Sequence, residues 1–375
     1  MSLLFTPYTL GDVTFRNRTV VAPMCQYSAQ HGYANDWHFV HLGRFALGGF
    51  GLVILEATGV VPEGRISYAD LGLWEDGQIA PLARIVDFLH NNGSAAGIQL
   101  AHAGRKASTP VAWRHGFNET EEEKPKVAFE HWVPVAPSAE PHSDNPDYQM
   151  PHELDEAGIR RVIDGFAAAA IRAEKAGFDV VEIHAAHGYL INQFLSPLAN
   201  HRTDSYGGSR ENRMRLLLEV TDAVRAVWPK GKPLLVRISA TDGREDGWQV
   251  EDSVVLAKEL KARGVDMVHV SSGGFVGFGL KAGPLYQVPL SDAVRNGADV
   301  PTMAVGLLDN PQEAERVLQE GSADMIALAR GALEDPNWAL HAYHALEGGK
   351  SYDLWPIQAR ARVRDMDRVL GRRQE

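Results

Sequence analysis

One recurring unit constrains this chain more than anything else in it. An amphipathic stretch stops at a glycine, and a short apolar, β-rich run follows within a few residues. Leu82, Ile85, Val86 and Leu89 fall at helical spacing, Gly93 ends the helix, and AAGIQL follows. Ile159, Val162, Ile163 and Phe166 run through an alanine-rich stretch to Gly177 and FDVVEIH. Val254, Val255 and Leu260 lead to Gly264 and VDMVHVSS; Asn310 and Pro311 open a helix that Gly321 stops before ADMIALA. Two fainter units run from Phe39, Val40 and Phe45 through Gly48 and Gly49 to FGLVILEA, and from Leu217, Leu218, Val224 and Val227 to PLLVRIS. Glycine suits the left-handed residue after a helix, and proline suits the first helical position.

The β-rich runs read as apolar through their length, the mark of parallel strands covered on both faces. Starting from RTVVAP, eight candidate strands lie near 19–22, 52–56, 95–100, 179–184, 234–238, 265–271, 301–304 and 324–328. Eight such strands with helices between them predict a closed (β/α)8 TIM barrel, with a doubly wound open sheet as the alternative. The 375 residues would also fit two medium domains, but no shift in composition marks a boundary, so residues 1–375 read as a single domain. Residues 103–153, rich in Pro, Glu and His, break the rhythm as a long loop after the third strand. That connection belongs to the C-terminal face, where barrel enzymes carry their sites. Its acidic middle, 119–130, reads either as part of a binding loop or as a passive surface excursion.

Charge and cysteine usage narrow the partners. A net charge of −11 and a pI near 5.8 argue against nucleic acid or an anionic membrane surface, which need clustered Lys and Arg. Cys25 is the sole cysteine, so no intrachain disulfide forms, which fits the cytoplasm. The opening MSLLFTPYTLGD lacks the basic and apolar regions of a signal peptide, and no apolar run approaches the ~20 residues of a membrane helix.

Polar residues gather where the strands end. Pro23, Met24, Cys25, Gln26 and Tyr27 follow the first strand, and Glu56, Ala57 and Thr58 end the second. Gln99 and His102 finish the third, Arg237 lies in the fifth, and Ser271, Ser272 and Gly273 end the sixth. Together they predict a large polar ligand across the barrel mouth. Gly306 and Arg330 stand at the ends of strands seven and eight, the usual phosphate site of the fold, so one end of that ligand is expected to be phosphorylated. Gly277-x-Gly279-x-x-Ala282 loosely matches a dinucleotide fingerprint, but Pro284 follows and no helix pattern opens there. The segment His184-Ala185-Ala186-His187-Gly188-Tyr189 is the most informative. Its two imidazoles can donate to one carbonyl oxygen or anion, with Tyr189 near enough to deliver a proton. A zinc pair and plain capping of the rim are the other readings; a third metal ligand is missing, so no metal is expected.

At this level of detail the chain resembles the old yellow enzyme family of FMN-dependent ene-reductases. It is most similar to the cysteine-containing bacterial branch of xenobiotic reductases and NADPH dehydrogenases. The likeness rests on RNRTVVAPMCQYSA, EAT, QLAHAGRKA, VEIHAAHGYLINQFLSPLANHRTDSYGGSRENR, LLVRISA, VHVSSGG, AVGL and ALARGAL, and runs from residue 16 to about 333. It implies FMN as cofactor and NADPH or NADH as hydride donor, in a ping-pong cycle on activated alkenes: α,β-unsaturated carbonyls, maleimides, nitroalkenes and quinones. The matches to Arg237 and Gln99 would meet the pyrimidine edge of the flavin, Arg237 beside N1 and O2. Cys25 would sit near N5 and O4 and tune the potential. Pro23, Met24 and Ala57 would line the ring. Gly306, Ala329 and Arg330 would hold the phosphate, with Ala329 where relatives often have glycine. His184 and His187 would grip the substrate carbonyl beside the flavin, with Tyr27 in support, and Tyr189 would protonate the α-carbon opposite the incoming hydride. Val305 stands where xenobiotic reductases can carry tryptophan, which implies a roomier cleft. Stretch 108–132 looks longer than in relatives. A homodimer or homotetramer is implied, with the tail 350–375 at a subunit interface; Trp355, Arg360 and Arg362 are candidates to reach a neighbouring site. The rival is a flavin-free barrel lyase or isomerase acting on a phosphorylated substrate.

Overall fold

The computed structural model of the protein describes residues 2–111, 131–275, 277, 279–348 and 352–371. The acidic stretch 119–130 lies outside them. Eight parallel strands close into a barrel. They are β1 (Thr19–Val21), β2 (Leu52–Gly59), β3 (Ala95–Ala101) and β4 (Val180–Ala185), then β5 (Leu234–Ser239), β6 (Met267–Ser271), β7 (Thr302–Val305) and β8 (Met325–Leu328). Helices α1 (Asp36–Leu47), α2 (Ile79–Asn91), α3 (Glu156–Lys175), α4 (Arg210–Val227), α5 (Val250–Ala262), α6 (Val288–Ala298) and α7 (Pro311–Gln319) connect them. Beyond β8 come α8 (Trp338–Glu347) and α9 (Ile357–Val369). Each expected strand is present, within about two residues of its expected place at either end apart from β2, which runs on to Gly59.

Local chemistry explains the boundaries. The Asn310 side chain accepts the Glu313 N–H at 3.0 Å and caps α7, with Pro311 in the first turn. Asp155 does the same for α3, from the Gly158 N–H at 2.7 Å. Such caps satisfy donors that the first helical turn leaves free and contribute about 1 kcal/mol each.

The apolar side chains divide between two layers. Leu82, Ile85, Val86 and Leu89 of α2 and Ile159, Val162 and Phe166 of α3 pack against outward residues such as Ile98, Val181 and Ile183. Inside the barrel a separate cluster holds Val20, Leu52, Val180, Leu235, Met267, Met303 and Met325. Phe15, from an antiparallel hairpin (Tyr8–Leu10 with Val13–Phe15), joins this inner cluster and closes the end where the strands begin.

The upper half of the interior departs from the expected apolar strands. Val180, Glu182 and His184 of β4 alternate with the outward Val181, Ile183 and Ala185. Leu235, Arg237 and Ser239 of β5, and Met267, His269 and Ser271 of β6, repeat the pattern. The barrel is thus oily at its floor and polar towards its mouth, because a side chain every second residue faces inward.

The loop after β3 carries more structure than its composition suggests. Its described parts include a 3-10 turn, Gly104–Lys106, and two short segments, Val135–Ala136 and His152–Glu153, paired in parallel. Buried Arg202, after β4, donates to Pro137 O at 3.1 Å and Leu154 O at 2.6 Å and ties the loop down.

Candidate active site

Register sets the middle layer of the interior. Gln99 pairs with Glu182 across β3 and β4, and Arg237 lies between His184 on one side and His269 on the other. A shift in register between Leu55 and Ala57 places Ala57 beside Gln99 and makes Glu56 the extra residue of a bulge. Glu182 binds Gln99 Nε2 at 2.7 Å with one oxygen and His269 Nδ1 at 2.7 Å with the other. Burial alone would raise the Glu182 pKa, but His269, the Arg237 charge and the Gln99 amide outweigh it and hold the carboxyl below its ordinary range. Burial, then Arg237, holds His269 low, so its ring is neutral and Nδ1 donates. Nε2 of Gln99 gives one of its two N–H groups to Glu182, which leaves the second N–H and the carbonyl oxygen for a ligand. Arg237 is 6% exposed, and its Nε has no hydrogen-bond partner.

The mouth lies one layer above. The His184 ring sits 5.3 Å from His187 and 5.0 Å from Tyr189, edge to face in both cases. Burial, then the Arg237 charge, holds both imidazoles well below the ordinary range, so both are neutral. His184 Nδ1 accepts the Ala186 N–H at 3.3 Å, which leaves the ring proton on Nε2. His187 adopts a left-handed conformation with φ of 60°, followed by Gly188 at φ 70°. Gly274 comes so close that a Cβ on it would lie 2.0 Å from the His187 carbonyl carbon, so only glycine fits there.

Tyr189, Tyr27 and Cys25 border one small cluster with Ile66, Ala103 and Ala107. The Cys25 thiol is within hydrogen-bonding range of Tyr27 and of the Ala57 backbone, and burial followed by the Asp70 and Glu56 charges pushes its pKa up. Burial does the same to Tyr189, with Cys25 and Asp70 adding to it, so the phenol keeps its proton. Lys106, from the 3-10 turn, donates to His187 O at 2.9 Å and holds its Nζ 4.8 Å from the centre of the Tyr189 ring. Burial, then Arg105, lowers this amine to about 8.

A cavity of about 400 Å³ runs from His187 and Arg237 to Gly306, Ala329 and Arg330. Gly306 has φ of 124°, and a Cβ on it would sit 2.8 Å from Gln287 Nε2. Arg330 is exposed at the start of a short helix, Arg330–Glu334, and Val305 is buried in the wall. Pro23 and Met24 are half-buried at the end of β1.

These features suit one kind of group. A guanidinium with an unused buried N–H faces one end, an amide oxygen stands nearby, and a side-chain-free glycine and an arginine stand at the other. A planar ring with a hydrogen-bonding edge and a phosphorylated tail satisfies all of them, and FMN is such a molecule. The sequence profile of the NADH:flavin oxidoreductase / NADH oxidase family matches residues 3–348.

The chain belongs to that family, the old yellow enzymes. It is an FMN-dependent oxidoreductase of the NADPH dehydrogenase type, with NAD(P)H as hydride donor. It is 47% identical over 358 residues to an NADPH dehydrogenase of Listeria monocytogenes, covering 94% of this chain and 98% of that protein. An NADPH dehydrogenase of Geobacillus thermodenitrificans is 47% identical over 339 residues, 90% of this chain and 92% of its own length. Among solved structures, morphinone reductase superimposes with a TM-score of 0.76 at 28% identity, over 92% of this chain and 90% of that one. An old yellow enzyme homologue from Zymomonas mobilis gives 0.74 at 28% identity, over 94% and 96%.

Within this old yellow enzyme the fold brings together His184, His187, Tyr189, Arg237, Gln99 and Ala57, with Tyr27 and Cys25 on the adjoining wall. His102 is not among them. It packs against Gly64 and feels the charge of Arg161 in α3, on the helix side of β3. Trp355 and Arg360 line a different cavity with Arg16, Ala46 and Asn91, beside helix ends that feed β2 and β3 and so at the opposite end of the barrel. Arg362 is almost fully exposed on α9. Among the described residues no group of three or more His, Cys, Asp or Glu side chains could hold a metal ion, and no helix is long and apolar enough to cross a membrane. Glu182, His269 and Lys106 escaped the sequence reading. The alternation in VVEIHA and MVHVS was the available signal for the first two.

Proposed function

We propose that this old yellow enzyme is an ene-reductase: NAD(P)H reduces the C=C bond of alkenes conjugated to a carbonyl, an imide or a nitro group, or of quinones. Bound FMN would supply the hydride relay between NAD(P)H and the β-carbon of the alkene. Gly306, Ala329 and Arg330 would hold its phosphate, and Arg237 and Gln99 would meet the pyrimidine edge of its ring. Arg237 places a fixed cation where reduction builds negative charge. Cys25 would stand at the opposite edge and tune the ring, and Pro23, Met24 and Ala57 would pack around it.

The chain's own residues act on the substrate. His184 donates Nε2–H to the substrate oxygen, and His187 adds a second donor after releasing Ser271. Both withdraw electron density from the alkene. Tyr27 supports the same oxygen. As the β-carbon gains a hydride, the Tyr189 hydroxyl gives its proton to the α-carbon, and solvent later restores it. The product has gained one hydride and one proton, and the nicotinamide has lost its hydride.

The observation that carries this reading is the triangle of His184, His187 and Tyr189 rings above buried Arg237, whose Nε has no protein partner. The absorbance spectrum of purified protein tests it. Anaerobic NADPH should bleach the flavin band, and cyclohexenone should restore it. Bleaching without recovery on any activated alkene would leave a dehydrogenase that is not an ene-reductase.

A further inference from the structure

A second cavity, of about 350 Å³, opens at the same end of the barrel as the mouth. Arg105 and His142 wall it from the loop after β3, His201 from beyond β4, Arg244 from beyond β5, and Phe275 from beyond β6. Arg105 is only 6% exposed. Its Nε is buried without a hydrogen-bond partner, and it forms no ion pair among the described residues. Its nearest described support is the ring of Phe275, 5.8 Å from the guanidinium carbon. His142 Nδ1 is likewise buried and unpartnered, and its ring packs 4.7 Å from Tyr148. Of the carboxylates at hand, Asp246 pairs with Arg244, and Glu140, whose charge reaches Arg105 without an ion pair, pairs with His201 at 3.2 Å.

The Glu140 charge does not offset the desolvation of this guanidinium, which has no direct ion-pair partner among the described residues, so the cavity suits an anion. The cavity and the mouth share a wall. Lys106 turns to His187 and Tyr189, while Arg105 turns to the cavity. Tyr148 lines the space shared with Tyr27 and Tyr189, while His142, packed on it, faces the other side.

The geometry points to this cavity as the seat of the 2′-phosphate of NADPH, the group that NADH lacks. The inference rests on the reading of the mouth given above, since the nicotinamide must lie there and the adenosine end must leave over the rim. A phosphate monoester carries a charge of about −1.5 to −2 near pH 7 and offers three acceptor oxygens, which a guanidinium can bind in pairs. Arg105 gives the buried cation, His142 a nitrogen at hydrogen-bonding level, and Arg244, paired with Asp246, a further guanidinium at the rim.

The test is anaerobic stopped-flow reduction of the holoenzyme by NADPH and by NADH. Arg105→Met should raise the apparent Kd for NADPH roughly 10- to 100-fold, the range for losing a charged hydrogen bond. It should leave NADH within about twofold, and re-oxidation by enone unchanged. Arg244→Gln, at the half-exposed rim, should raise the NADPH Kd by about two- to fivefold and spare NADH. Adenosine 2′,5′-bisphosphate should compete with NADPH far better than AMP does, which keeps the wild-type protein informative if Arg105→Met does not fold. Equal effects on both nucleotides, or no preference between the two competitors, would overturn the assignment. If neither nucleotide reduces the flavin, the reading of the mouth fails instead.

Discussion

His187 Nε2 lies 2.8 Å from Ser271 Oγ, and Ser271 in turn donates to Gln287 Oε1 at 3.3 Å. With the Ser271 hydroxyl proton assigned to Gln287, the Ser271 oxygen accepts and His187 is the donor, an assignment that the Ser271→Ala variant tests. One of the two imidazole N–H groups expected to face the substrate is therefore held by the protein. Gln287 continues the chain to Val305 O at 2.9 Å, so the mouth is tied to β7.

Ser271→Ala should release that N–H. The KM for an enone should fall roughly 2- to 12-fold, the range of one neutral hydrogen bond, with little change in flavin reduction by NADPH. Steady-state and half-reaction kinetics together check this. A higher KM would mean that Ser271 orients His187 for the substrate instead of competing for it.

Glu182 supports the floor of the site. Glu182→Ala would leave Arg237 without its buried counter-charge and strip Gln99 and His269 of their acceptor. A loss of about 3–5 kcal/mol in unfolding free energy is expected. Denaturant unfolding of the apoprotein measures it without interference from flavin.

Much of this architecture is legible in the residues. Gly93, Gly177, Gly264 and Gly321 end four helices with the left-handed turns that their place before each strand implies, at φ between 73° and 91°. Tyr189 and the two histidines were legible because HAAHGY packs them into six residues. Glu182 and His269 were not, because the partners of this buried hydrogen bond lie 87 positions apart and only barrel closure makes them neighbours. His102 misled because a residue just past the end of a strand faces in or out according to register, and apolar runs do not reveal register. Lys106 and Arg105 differ by one position and serve opposite sides of a wall, a distinction that composition cannot carry.

Acid should destabilise the fold in a defined window. Burial holds His38 and His41 at about 4, and burial followed by Arg161 holds His102 at about 3. In the unfolded chain these groups titrate near 6.5, so between about 6.5 and 4 the unfolded state binds more protons. Stability therefore falls as pH drops through that range, by roughly 1.4 kcal/mol per pH unit for each histidine at most. Asp70, raised by burial to about 7, opposes this, because folded protein takes up its proton first between about 7 and 4. Glu56, Asp242 and Asp266, raised by burial, and His90, raised by Asp179, act with Asp70. His142, His184, His187 and His269, all lowered by burial, join the other three histidines, so the denaturation midpoint should be lower at pH 5 than at pH 7.

Gly274→Ala should damage the mouth from outside it. The new Cβ meets the His187 and Gly188 backbone at 2.0 to 2.4 Å, and φ at this position is 126°. Overpacking of this kind costs about 1–3 kcal/mol, and the backbone cannot retreat without moving His187. The variant should bind enones more weakly while keeping its flavin, which the absorbance spectrum and an enone titration separate.

The central claim is that the histidine pair and Tyr189 act on the alkene and not on the nicotinamide. Anaerobic stopped-flow on Tyr189→Phe tests it most directly, because it times the two half-reactions separately. Re-oxidation by cyclohexenone should slow by roughly 10²- to 10⁴-fold, the usual worth of a placed general acid, while reduction by NADPH stays within a few-fold of wild type. Equal slowing of both halves, or none in re-oxidation, would contradict it.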